Sequence, residues 1–351
     1  MGKEEERHVN APYREIGAIV KATLNLPEDQ PLEIIPIVRG GSTRFFYRVR
    51  FSQSVASIIF VHYRHDNREN AYYAAQTAFM QSIGVQVPQI HHHDSHRGFI
   101  LMEDLGELDL WHYRQEVWGK RRKYYLKTLD MILRLHAIGM EDPRMAGVPL
   151  MDAFNLELYR WEKNYFLENF VRKFCGITLE GAAAEALEKE LARLAVRLWE
   201  SVTGLVHRDL QSQNIMIRND GPVLIDYQGM RYGNPCYDLG SLLYDPYVTF
   251  AETERRDLLQ YYYDGLATAP YPPESFREIF HLAAAQRLMQ ALGAYGFLGL
   301  RGKRPHFLTH IPAGLANLIE VTQLTPQLPR LGYLAQRCQE ALPAHNFKMR
   351  G

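Results

Sequence analysis

Along the first hundred residues, apolar positions come in short runs broken by polar and glycine-bearing turns. Ile34-Ile35-Pro36-Ile37-Val38 predicts a strand whose proline suits a sheet edge. A polar turn, Arg39 to Arg44, separates it from a second, aromatic and β-branched strand over Phe45 to Phe51. Ile58 to Tyr63 predicts a third strand. The period then changes. After Asn67-Arg68-Glu69-Asn70, the apolar positions Ala71, Ala75, Ala78 and Phe79 fit a helix running to Met80, and Gly84 ends it. Val85 to Pro88 restarts an extended chain, and Gly98 to Gly106 reads as a last strand entering a connector. Residues 11–25 predict a helix leading in. Beyond the connector, helical stripes dominate. Leu126, Leu129, Ile132, Leu133 and His136 share one face of residues 121–138, and Leu187, Leu191, Leu194 and Leu198 share one face of residues 182–200. The pattern predicts an α+β chain of two lobes: a small β-rich lobe over residues 1–103 and a large, mainly helical lobe over residues 104–351.

Composition adds mild bounds. The chain has 351 residues, 46% apolar and 23% charged, with 40 Lys plus Arg against 40 Asp plus Glu. That balance gives no global field favouring nucleic acid or an anionic membrane as partner. No run of ~18 apolar residues predicts a membrane span. Three scattered cysteines, Cys175, Cys236 and Cys338, show no metal-ligand spacing and fit a reducing cytoplasm. The Glu-rich start lacks the apolar core of a signal peptide. Oligomeric state is left open.

The densest chemistry lies at residues 206–228. His207 and Asp209 are followed five residues on by Asn214, and Asp226 comes twelve residues later. Between them, Ile215-Met216-Ile217 and Val223-Leu224-Ile225 flank Asn219-Asp220-Gly221-Pro222, a hairpin signal. Loop, strand, tight turn and strand therefore gather Asp209, Asn214 and Asp226 at one end of a ribbon. Oxygen-bearing side chains of this kind suit Mg²⁺ shared with substrate phosphates. A remaining carboxylate can face a hydroxyl nucleophile.

This stretch resembles the kinase catalytic loop followed by a metal-site Asp, here opening Asp-Tyr-Gln. More narrowly, the chain resembles the aminoglycoside phosphotransferase and choline kinase superfamily, nearest its branch of bacterial kinases that phosphorylate the anomeric hydroxyl of N-acetylmuramate and N-acetylglucosamine. The matching pieces are Gly41 to Val49, Leu101 to Gly106, Ile225 to Gln228, Tyr232 to Leu239, and Gln286-Arg287 with Leu292-Gly293. The resemblance implies a bilobal protein-kinase-like fold and an ATP- and Mg²⁺-dependent transfer to a small-molecule acceptor. It implies that Asp226 and Asn214 hold the metal and that Asp209 takes the acceptor proton. Gly41, Ser42, Thr43, Arg44 and Arg48 would cover the phosphates, and Glu103, Asp104 and Leu105 would flank the adenine. His207 and Asp238 would support the loop, Asp238 also serving as the N-cap of a helix. The third strand lacks the Lys of protein kinases, so His62, Arg64, Arg44 and Arg48 are its candidate substitutes, and Glu69 loses its usual partner.

Only eleven residues separate Asp226 from Asp238, and no Ala-Pro-Glu follows, which leaves no room for a peptide platform. The acceptor is therefore expected to be small. The aromatic stretch 154–171 offers Glu157, Arg160, Trp161 and Tyr165 as acceptor contacts, since sugars stack on rings, and Arg231 as a partner for an acidic group. The run His91-His92-His93, expected between strands, and the loop at Arg301-Gly302-Lys303-Arg304 are read as surface features. Three functions stand: an amino-sugar kinase, a kinase of aminoglycosides or other amino alcohols, and a nucleotide-binding regulator without turnover.

Overall fold

The computed structural model describes residues 2–37, 44–51, 56–219, 221–301 and 304–342, with side chains from residue 13 onward. Helix α1 (Gly2–Leu24) leads into strands β1 (Leu32–Ile37), β2 (Phe45–Phe51) and β3 (Ser57–His62). Helix α2 (Glu69–Ser82) and strands β4 (Ile90–Asp94) and β5 (Phe99–Glu103) follow. The sheet is antiparallel in the order β1-β2-β3-β5-β4.

Alternation along its central strands explains its two faces. Val49, Ile58, Phe60, Phe99 and Leu101 point to one side and bury Ile16 and Val20 of α1. Ile59, Val61, Tyr63, Ile100 and Met102 point to the other, toward α2 and the helical part. The histidine run lies within β4 and not between strands. As an edge strand, β4 pairs only with β5, so exposed His91 and His92 need no apolar partner sheet.

The C-terminal part begins with α3 (Trp118–His136), α4 (Leu156–Phe166) and α5 (Gly181–Trp199). A π-helical turn over Leu167–Arg172 extends α4. Short strands come next: β6 (Gly204–Val206), β7 (Ile215–Arg218), β8 (Gly221–Leu224) and β9 (Arg231–Gly233). The chain closes with α6 (Cys236–Leu243), α7 (Glu252–Asp264), α8 (Pro273–Leu300), α9 (Ile311–Gln323) and α10 (Pro329–Glu340). The predicted β7–β8 hairpin is present, with Ile215 opposite Leu224; Gly221 and Pro222, expected in the turn, open β8 opposite Arg218 and Ile217, and Ile225 lies just beyond it. Asn219 takes the left-handed conformation its turn requires, at φ 48°.

Helix α8 is apolar around most of its circumference and sits at the centre of the helical part, against α4, α6 and α9. Small residues permit the close approach. A Cβ on Gly240 of α6 would lie 2.7 Å from the Ala284 Cα, and one on Gly296 would lie 2.5 Å from the Asn169 carbonyl oxygen. Among the described residues, no helix is long and apolar enough to cross a membrane.

Two predictions follow from this packing. Gly240→Ala should lower stability by about 1–3 kcal/mol, because backbone rather than a flexible side chain must move; urea unfolding reads it. His281, on α8, has its pKa pushed down to about 4 by burial and by Arg255 and Arg277 beside it. The unfolded imidazole therefore binds its proton first as pH falls. The stabilisation is whole above pH ~6.5 and is lost on the way down to about 4. His281→Phe should flatten that limb by ~1–2 kcal/mol after allowance for solvent screening, as measured by unfolding at pH 7 and 4.5.

Candidate active site

A cleft of about 920 Å³ opens between the sheet and the helical part. Asp209, Asn214 and Asp226 all line it, together with Arg44, Glu69, His207 and Arg287. The loop carrying Asp209 is held from below. Asp238, fully buried in the first turn of α6, accepts the backbone N–H of His207 at 2.6 Å and of Arg208 at 2.8 Å. His136 reaches the same carboxylate at 3.1 Å. These bonds restrain Arg208, which sits at φ 78° immediately before Asp209. Asp238 is not the N-cap of α6: the helix starts at Cys236 after Pro235, and the carboxylate turns to the loop's N–H groups instead. A second carboxylate, Asp245, just past the end of α6, holds the other side of the loop by accepting Ser212 N–H at 2.8 Å and Tyr247 N–H at 3.0 Å. Burial pushes Asp245 up to about 6.

The ring of His207 contacts the Ile225 carbonyl at 3.0 Å, and Ile225 N–H donates to the Asn214 carbonyl at 3.0 Å. Loop and hairpin end are thereby joined. The Asn214 amide donates to the Asp209 backbone carbonyl at 2.9 Å and to Asp209 Oδ2 at 3.3 Å. Because its nitrogen faces Asp209, its side-chain oxygen is the end left for a cation. Asp226, at φ 65°, accepts from Arg44 and from Gln228 Nε2, the latter at 3.0 Å. Burial favours its proton, but Arg44 and Gln228 outweigh that and hold the carboxyl below its ordinary range. One carboxylate and one amide oxygen fit a hard cation that shares phosphate oxygens. Among the described residues, no group of three or more His, Cys, Asp or Glu could hold a metal ion.

The four candidates for the absent Lys part company here. Arg44 forms an ion pair with Asp226 and feels the charge of Glu69, at the start of α2. His62 and Arg64 are exposed and do not line the cleft. Arg48 borders the cleft, but its guanidinium is engaged by the connector. It donates to Asp104 at 2.6 and 3.1 Å, to Glu107 at 2.6 Å and to the Gly106 carbonyl at 3.0 Å. Asp104 also accepts from Ser57 Oγ at 2.7 Å and Gly106 N–H at 2.9 Å. Both residues thus shape the connector after Glu103. Leu105 lines the cleft beside them, as do the apolar side chains of Ile37, Met102, Met216 and Ile225. Gly41, Ser42 and Thr43 lie outside the described residues.

The acceptor contacts expected on α4 are corrected. Glu157, Arg160, Trp161 and Tyr165 do not line the cleft. Helix α4 turns Tyr159, Glu162 and Phe166 inward, which leaves Glu157, Arg160 and Trp161 on its exposed side. Trp161 stacks on Tyr165 with centroids 5.0 Å apart, and Tyr165 leans on Phe297 of α8. Arg231 is buried as well, over the Phe154 ring and bonded to the Gly229 carbonyl at 3.1 Å. Burial and neighbouring Arg208 lower its pKa to about 10.

The wall opposite Asp209 comes instead from α8 and its flanks: Arg287, Gln290, Tyr247, Tyr295, Leu298 and Phe307. Arg287 donates to Asp209 Oδ1 at 2.8 Å, to Ser241 Oγ at 3.2 Å and to Gln290 Oε1 at 2.6 Å. The Gln286-Arg287 pair was visible in the sequence, but nothing local tied it to Asp209.

The chain is similar in sequence and in fold to several known proteins. An N-acetylmuramate/N-acetylglucosamine kinase of Pseudomonas aeruginosa is 26% identical over 315 residues, covering 88% of this chain and 89% of the relative. A choline/ethanolamine kinase family protein from Mesorhizobium loti superposes with a TM-score of 0.58 at 17% identity, over 92% of this chain and 99% of that one. An ADP-bound aminoglycoside phosphotransferase superposes with a TM-score of 0.54 at 12% identity, again over 92% and 99%. The last two share the fold, a mixed α+β architecture of protein-kinase type. The model of the phosphotransferase enzyme family matches residues 34–274, the span that holds β2, the connector, the catalytic-type loop and Asp226, and the chain belongs to that family, as a small-molecule kinase.

Proposed function

We propose that the chain transfers the γ-phosphoryl group of ATP to a hydroxyl of an N-acylated amino sugar, N-acetylglucosamine or N-acetylmuramate. The observation that carries the acceptor class is the charge of the wall facing Asp209. From Tyr247 to Phe307, its described lining residues are aromatic, apolar or amide side chains with one cation, Arg287, and no carboxylate. A polycationic aminoglycoside calls for acidic side chains, which this wall lacks, and any ammonium group here would meet the Arg287 cation. Rings beside polar donors suit a neutral or acidic sugar. The names of the curated relatives point the same way.

Each residue has a task in this reading. The apolar side chains of Ile37, Met102, Met216 and Ile225 take the adenine. Asp226 and the Asn214 oxygen hold magnesium with the nucleotide. When bound, the metal neutralises charge on the phosphate oxygens. Arg44 sits where it can exchange Asp226 for a phosphate. Asp209 offers Oδ2 to the acceptor hydroxyl while Arg287 fixes Oδ1. The hydroxyl proton passes to Oδ2 as the acceptor oxygen bonds to phosphorus and the β–γ bridging oxygen departs on ADP.

Asp209→Asn should cut kcat by about 10²–10⁴-fold with little change in the KM for ATP. Asp226→Asn should instead raise the magnesium concentration needed for half-maximal rate. A coupled ADP-release assay with amino sugars, aminoglycosides and choline tests the acceptor class, and phosphorus NMR of the product tells an anomeric phosphate from one elsewhere on the ring. Turnover confined to the cationic acceptors would defeat the reading.

A further inference from the structure

The Arg287 side chain joins two residues that face the same cavity. One end of its guanidinium meets Asp209 Oδ1 at 2.8 Å, and the other meets Gln290 Oε1 at 2.6 Å. Arginine carries donors only, so the Gln290 oxygen must be the atom turned toward it. The orientation of this amide is therefore not arbitrary. Its nitrogen, with two N–H donors, is directed away from Arg287. Gln290 is half-buried and lines the cleft with Tyr247, Tyr295 and Phe307. Helical spacing places 287, 290 and 291 on one face of α8, so the amide lies one turn from the group that holds Asp209.

We propose that Gln290 is a specificity-determining residue: its N–H pair donates to the acyl oxygen on the acceptor's nitrogen and disfavours the same sugar bearing a free ammonium. This rests on the amino-sugar reading above and goes further, naming the group that is read and the residue that reads it. An acetamido group presents a carbonyl acceptor to those donors and carries no charge. An ammonium presents only donors and a positive charge. It would face the Gln290 N–H groups and the buried Arg287 cation, and leaving such polar groups unmatched in a confined site penalises that sugar.

Steady-state kinetics with saturating ATP and magnesium on N-acetylglucosamine and on glucosamine test it. The wild type should prefer the acetylated sugar. Gln290→Glu keeps the size and the bond to Arg287 but replaces the N–H pair with an oxygen. It should lower kcat/KM for N-acetylglucosamine by ~10–100-fold and move the ratio of the two sugars toward glucosamine by at least ~10-fold. Gln290→Leu removes donor and acceptor together. It should lower kcat/KM for the acetylated sugar, mainly through KM, while leaving the KM for ATP unchanged. A merely structural residue would lower both sugars alike and leave their ratio unchanged in both variants. Wild-type discrimination retained in both variants overturns the role of Gln290. Absence of turnover on either sugar by the wild type overturns the amino-sugar reading and this inference with it, an outcome told apart by activity on the cationic acceptors.

Discussion

The buried Asp238 carboxylate is the constraint on which the site depends. It takes the backbone N–H groups of His207 and Arg208, two successive donors that no strand or helix satisfies. Arg208 adopts a left-handed conformation, which costs a side-chain-bearing residue about 1–3 kcal/mol. Charge-assisted hydrogen bonds to a fully buried carboxylate offset a cost of that size. Asp245, just past the end of the same helix, secures Ser212 on the far side of the loop. With both ends fixed, Asp209 and Asn214 have little freedom, and the bond from Ile225 N–H to the Asn214 carbonyl carries the same order into Asp226.

Much of this was legible in the sequence because it is local. The span from His207 to Asp226 is a loop and a hairpin, and its residues meet through neighbours close in the chain. Strands β1, β2, β3 and β5 were legible for the same reason, since period-two burial against α1 is written into Val49, Ile58 and Phe60; β4, an edge strand built on the histidine run, was not. What failed depended on distant packing. An aromatic-rich helix looks alike whether its rings face a ligand or solvent, and α4 gives its inward side to α8, leaving Trp161 outside. Arg287 meets Asp209 across 78 positions, a contact no spacing rule reveals. Asp238 was placed near the right task but with an additional capping role that the Pro235 start removes. Arg48, read as a phosphate ligand, proved to be matched by Asp104 on the connector, 56 positions away.

Charge is arranged within the cleft although it cancels over the whole chain. Toward the sheet, Arg44 and Arg48 are met by Asp226 and Asp104, so each cation has a carboxylate and each carboxylate a defined geometry. Toward α8, Arg287 stands opposite Asp209 with rings and small side chains around it. A balanced overall composition is therefore silent about polarity inside a pocket. The relevant quantity is which groups remain once the internal pairs are matched.

Helix α8 spreads its duties along one face. Arg287 touches Asp209, Gln290 follows after one turn, and Ala291, Ala294 and Leu298 line the cleft further on. The two alanines contribute shape and no polar atom. A larger or smaller side chain at 291 or 294 would redraw the room in the cleft without touching the Arg287–Asp209 pair. The contact to Asp209 and the shape of the cleft wall thus occupy different turns of a single rod, so the distal turns can be reshaped while the contact to Asp209 stays intact.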